Sequence, residues 1–105
     1  VTLPQTLTYI GKAAFEGTGI TKVVLPERLT DIAEQMFLEC RKLESIYIPK
    51  AVQTIGKEAF RDCSLRDVYY GGNEEQWKQL VRDHEELNYI TPHYNSSALL
   101  ATLSL

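Results

Sequence analysis

Cysteine, methionine and tryptophan are scarce in this chain, at two, one and one among 105 residues. Two cysteines cannot build the disulfide framework that staples small secreted domains. Charge of one sign is scarce too: 11 basic and 14 acidic residues leave a formal charge of -3. Nucleic acid and anionic bilayers are therefore not expected as partners, since both need a basic footprint. No apolar run approaches the roughly 20 residues of a membrane span. The opening residues, Val1-Thr2-Leu3-Pro4, lack the basic-then-apolar order of an export signal, so any such signal is expected to have been removed. The length fits one small domain or a slice of a larger one, and excludes an enzyme with separate substrate and cofactor halves. Hydrophobic residues at 44% and charged residues at 24% are ordinary globular usage.

The order of residues is more informative than their totals. Three stretches align: Leu3 to Val24, LPQTLTYIGKAAFEGTGITKVV; Leu25 to Tyr47, LPERLTDIAEQMFLECRKLESIY; and Ile48 to Tyr69, IPKAVQTIGKEAFRDCSLRDVY. The only phenylalanines, Phe15, Phe37 and Phe60, share one slot, and Pro4, Pro26 and Pro49 share another. Cys40 and Cys63 also coincide, with Thr18 in the first copy.

The apolar positions within each copy follow leucine-rich spacing, as in Ile20, Val23, Leu25, Leu29 and Ile32. Alternation at Val23 and Leu25, at Ile46 and Ile48, and at Val68 and Tyr70 predicts short strands with one buried face. Proline after the strand lacks an amide hydrogen and ends the pairing at the same height in each copy. One such coil cannot bury its own apolar face, whereas stacked coils bury a continuous one, so the pattern predicts a solenoid with parallel neighbouring strands. Gly11, Ala33 and Gly56 fall near the bend of the return segment, and the three phenylalanines are read as a stacked spine.

The stretch from Ile48 to Cys63, L-P-x-x-L-x-x-I-G-x-x-A-F-x-x-C in outline, resembles the BspA-type leucine-rich repeat, and the likeness runs from Val1 to about Tyr70. Ala33 and Met36 depart from its usual glycine and alanine, which suggests a slightly wider second turn. The resemblance implies an α/β-type repeat solenoid, a right-handed coil of about four turns with a parallel concave sheet, closed by a C-terminal helix and a final strand. It also implies a secreted or cell-surface location in host-associated and gut bacteria, with repeats that serve adhesion or protein recognition or decorate modular exported proteins; no cofactor is expected.

After Tyr70 the period breaks. Gly71-Gly72 reads as a turn, and a helix is expected over about 74–83. Asn73 suits its N-cap, Gln76 the capping box, and Glu74 and Glu75 the positive end of the dipole. Trp77, Leu80 and Val81 form one apolar stripe fit to cover the last coil. This V-Y-Y-x-G-x-x-x-x-W run resembles the segment that closes many BspA-type arrays. A final edge strand is expected over about 89–94, limited by Pro92. The domains are thus a repeat stack over 1–70, a cap over 71–94 and an uncharged apolar tail over 95–105. Leucines 99, 100, 103 and 105 predict that the tail packs on something, and the first coil, uncapped and open, is the candidate surface. Those two features predict pairing between molecules as well.

If Val23 and Leu25 point inward, the residues between them face out across the concave sheet. The exposed row then comprises Thr2, Val24, Tyr47 and Tyr69, flanked by Lys22, Ser45 and Asp67, with Glu44 and Arg66 at the strand entrances. Tyrosine combines contact area with a hydroxyl, as recognition patches require. Such a face would take an extracellular protein, host or bacterial, or a glycan. The same rings would equally serve as plain cross-strand neighbours, leaving a structural spacer or end module. Catalysis is not expected, because Glu44 and Asp67 would be solvated with nothing to raise a pKa. His84 and His93 lack zinc spacing and read as surface residues, so no metal is expected. Cys40 and Cys63 are close enough for a disulfide but read as small buried thiols, like Thr18.

Overall fold

The computed structural model describes residues 3–98. Its strands are β1 (Lys22–Val24), β2 (Asp31–Ile32), β3 (Ser45–Ile48), β4 (Thr54–Ile55) and β5 (Asp67–Tyr70), followed by helix α1 (Glu74–Leu80) and a 3-10 turn at Glu85–Leu87. β1, β3 and β5 form one parallel sheet in that order, and β2 and β4 form a second parallel pair. The register sets Val23 beside Ile46 and Ile46 beside Val68. The chain therefore returns to the same place once per sequence repeat, as the alignment of the three copies requires. β1 and β3 both stop before their prolines, Pro26 and Pro49.

The phenylalanines form the expected spine. Phe15 stacks on Phe37 and Phe37 on Phe60, each with centroids 5.4 Å apart and near-parallel planes, 5° and 12°. Around them lie Val23, Leu25, Leu29, Ile32, Met36, Leu43, Ile46 and Val68, all buried. Backbone bonds tie the returns together: Ala13, Phe15 and Gly17 donate to the carbonyls of Glu34, Met36 and Leu38, and Gln35, Phe37 and Glu39 to those of Lys57, Ala59 and Arg61. Side chains add to this network. Cys40 Sγ donates to the Phe15 carbonyl at 2.9 Å and Cys63 Sγ to the Phe37 carbonyl at 3.0 Å, and both cysteines are free thiols.

A feature not read from the sequence is the backbone twist of these returns. Ala13, Gln35 and Glu58 have φ of 57°, 58° and 58°, and Gly17, Glu39 and Asp62 have 68°, 58° and 62°. Two left-handed residues per coil open the return so that alternate amides point at the neighbouring coil. Only Gly17 carries the residue that this conformation favours.

Gly56 marks a close approach between coils. A Cβ there would lie 2.3 Å from the Glu34 nitrogen and 2.7 Å from the Ala33 carbonyl carbon, and its own N–H donates to the Ile32 carbonyl at 2.7 Å. Ala33, the equivalent residue one coil earlier, carries the methyl that Gly56 cannot. Among the described residues that edge is paired between the second and third copies, as β2 with β4.

The end of the stack is closed by α1. Asn73 caps it with a reciprocal box, its side chain accepting from the Gln76 N–H and its own N–H donating to Gln76 Oε1. Trp77 is buried with its ring 5.2 Å from that of Tyr70. The helix ends at Leu80, short of the expected 83, because Val81 is its C-cap and the next turns tighten into Glu85–Leu87. The expected strand over 89–94 is reduced to one bridge, Tyr69 with His93. Proline at 92 has no N–H to extend a ladder, and the 3-10 turn takes up the residues before it.

Candidate functional site

The outward side of the three-stranded sheet differs from the expected open row. Val24 and Tyr47 are 3% and 2% exposed, and Ser45 is 7% exposed. Every residue of β3 is buried, so the sheet is covered on both faces there. Ala98, from the chain's C-terminal part, contributes to that cover: with Tyr69 of the neighbouring strand it packs on Val24 and Tyr47 as a second, small apolar cluster. Hydropathy alternation cannot reveal such a cover, because a residue facing outward from one sheet reads the same whether solvent or a distant segment lies above it. Thr2 and leucines 99, 100, 103 and 105 lie outside the described residues.

The remaining residues of the row do face solvent. Lys22, Glu44, Arg66 and Asp67 are exposed and Tyr69 is half-buried. The main-chain N–H groups of Arg66 and Asp67 both donate to the Glu44 carbonyl, at 2.8 and 3.1 Å, which sets the two strand entrances side by side. Tyr47 is anchored from below: its hydroxyl donates to Glu27 Oε1 at 2.7 Å. Burial and the neighbouring Glu27 carboxylate both push the Tyr47 phenol well above its ordinary range.

His93, read from the sequence as a plain surface residue, is the main addition to this region. Its ring stacks on Tyr69 with centroids 4.6 Å apart, and its Nε2 lies 3.5 Å from Asp67 Oδ1, an ion pair when the imidazole is protonated. The backbone places it there: the His93 N–H donates to the Val68 carbonyl and the His93 carbonyl accepts from Tyr70. The β-branched and aromatic run before Pro92 was the available signal for this edge pairing. Asp67 faces His93 and stays solvated, and Glu44 is likewise exposed. Neither carboxylate is enclosed in the way an acid or base catalyst requires.

A second polar region lies behind the stack, where Lys57, Glu58, Arg61, Asp83, His84 and Glu86 surround a cleft of about 410 Å³. The side chain of His84 is only 15% exposed, so it is not the surface residue expected; its Nδ1 is 3.5 Å from Glu86 Oε1. Hydrogen bonds from Gln35 and Arg61 hold the Glu58 carboxyl below its usual range. Burial pushes the Cys63 thiol up to about 12, with Cys40 adding to the effect. Such a thiol is a packing group rather than a nucleophile. Among the described residues no three His, Cys, Asp or Glu side chains gather as a metal site, and no helix is long and apolar enough to cross a membrane.

The stacked phenylalanines, the in-step parallel strands and the proline stops are the structural counterparts of the repeat. Residues 1–81 match the family model described as the BspA type leucine rich repeat region (6 copies). The chain belongs to the BspA-type leucine-rich repeat family. No curated protein and no solved structure matches it. BspA-type repeats are generally protein-interaction or surface modules, typically without enzymatic activity and typically found in surface or secreted bacterial proteins. The match runs past the third copy and through α1, so the BspA-type region includes the helix that covers the last coil.

Proposed function

We propose that this chain is a non-catalytic extracellular recognition module, secreted or on the cell surface, that holds a host or bacterial protein, or a glycan, against its concave sheet. In this reading the stack over 1–70 is a right-handed coil of about four turns, the cap covers 71–94 and the tail is 95–105. The observation that carries it is the solvent-facing rim: Lys22, Glu44, Arg66 and Asp67 are exposed along the strand entrances, and the stacked rings of Tyr69 and His93 lie beside Asp67. Charges of both signs around a flat aromatic pair suit polar recognition with one apolar anchor. Val24, Tyr47 and Ser45 form the floor beneath this rim. Open association through the first coil and the tail would make the module multivalent.

The test is attachment to immobilised extracellular matrix proteins by the full chain, compared with Tyr69→Ala and Arg66→Glu. Loss of attachment in both variants, with unchanged melting, supports the reading; unaltered attachment removes it. A spacer or end module is the second reading, and the burial of Val24 and Tyr47 favours it, since that surface is already occupied.

A further inference from the structure

The apolar part of the concave sheet is not bare, and its cover is not another repeat. After the bridge at His93 the chain stays on the sheet edge: Asn95 donates to the Gly72 carbonyl at 2.9 Å, Ser96 donates to the Tyr70 carbonyl at 2.8 Å, and the Ser96 hydroxyl donates to the His93 carbonyl at 2.7 Å. Asn95 is in the left-handed region, φ 55°, which turns the chain. Ala98 then lies on Val24 and Tyr47, which belong to the first and second repeats. A segment that leaves the last strand thus crosses back over the earlier ones.

These contacts have the composition of a docked peptide rather than of a folded core. A ring stacks on Tyr69, main-chain groups pair with the edge of β5, and five residues later one small apolar side chain fills the space above Val24 and Tyr47. Strand-edge pairing with side chains seated in sequence is a common way for a sheet to take an extended ligand.

We propose that the C-terminal segment His93–Ala98 is an intramolecular occupant of the concave recognition face, and that a partner reaches Val24 and Tyr47 only by displacing Ser97 and Ala98. The partner this fits is an extended peptide that seats a small apolar side chain on Val24 and Tyr47, beside the His93 ring that stays stacked on Tyr69. The edge bonds from His93 to Ser96 hold the base of the segment, so displacement is local and leaves the repeats intact. The inference rests on the recognition reading for its biological use, but self-occupation is testable without any partner.

The test is thiol accessibility in the full chain. Val24→Cys places a reporter under Ala98, and Ellman's reagent reads its reactivity, with Cys40 and Cys63 as internal monitors of global unfolding. With Ala98 in place the new thiol reacts only through local opening. Adding Ala98→Arg, which cannot seat on an apolar floor, is expected to raise the rate at position 24 about tenfold or more while Cys40 stays protected. A fast reaction in the Val24→Cys chain, or equal rates with and without Ala98→Arg, overturns the proposal. If Cys40 also becomes reactive, the arginine has unfolded the chain, and the milder Ala98→Asn is judged by the same rates. Loss of matrix attachment in Tyr69→Ala bears on the recognition reading alone, so the two ideas fail separately.

Discussion

Replacing Phe37 by alanine is the sharpest probe of the stack. Phe37 is fully buried between two rings at 5.4 Å, whereas Phe15 is half-buried and Phe60, 3% exposed, has one ring neighbour. Removing a buried phenylalanine costs about 3–5 kcal/mol, including ring contacts of about 0.5–1.5 kcal/mol each. Phe37→Ala belongs at the top of that range because both contacts vanish and the surrounding backbone is tied in place by the Phe37 amide and carbonyl. Phe15→Ala loses one contact and less burial, so about half that cost is expected. A domain of this size has about 5–15 kcal/mol in all, so Phe37→Ala leaves the chain marginal or unfolded. Urea unfolding followed by the fluorescence of Trp77, buried in the cap, measures both variants, with the m-value checking that the transition stays cooperative. A Phe15→Ala variant as costly as Phe37→Ala would refute the central position of the spine.

Other perturbations separate backbone from packing effects. Gly17→Ala places its Cβ in open space yet keeps φ at 68°, so a loss of about 1 kcal/mol from conformation alone is expected in thermal melts. The reverse change in the same slot, Glu39→Gly, is expected to stabilise by up to about 1 kcal/mol, since the Glu39 pairing with Arg41 that it removes is solvent-exposed. Gly56→Ala drives a methyl into the backbone of Ala33 and Glu34 and is expected to cost about 1–3 kcal/mol, with the Gly56 amide losing protection from hydrogen exchange. Acid should loosen the fold. Hydrogen bonds from Thr54 and Thr30 hold Asp31 below its usual range, and those from Gln35 and Arg61 do the same for Glu58. Folded-state values below the unfolded ones mean that this stability is present above about pH 4 and is lost as pH falls through the folded values. The melting temperature of Asp31→Asn should therefore fall less steeply below pH 4 than that of the parent chain; parallel curves would contradict this.

What could be read ahead of the structure was whatever repeats. Three phenylalanines in one slot predicted a column of rings, and Pro26 and Pro49 predicted where β1 and β3 stop, because the same local environment is imposed in each copy. Asn73, Gln76 and Trp77 were legible for a different reason, since capping chemistry and an apolar stripe are local signals. The burial of Val24 and Tyr47 was not legible: it involves Ala98, which comes from outside the repeat and carries no period of its own. Left-handed residues at Gln35, Glu39 and Glu58 were hidden as well, because the side chains there do not advertise a conformation that tertiary hydrogen bonds impose.

Along the row of the phenylalanines the inter-coil amide bonds all run one way. Ala13, Phe15 and Gly17 donate to the copy after them, and Gln35, Phe37 and Glu39 do the same. Along this row a coil therefore has a polarity, with a leading side of carbonyl acceptors, Glu34, Met36 and Leu38 in the second copy, and a trailing side of amide donors, Gln35, Phe37 and Glu39. Two leading sides brought together about a twofold axis would set acceptor against acceptor. The copies can therefore follow one another in one sense only along this row, and the helix laid over the last coil ends the series.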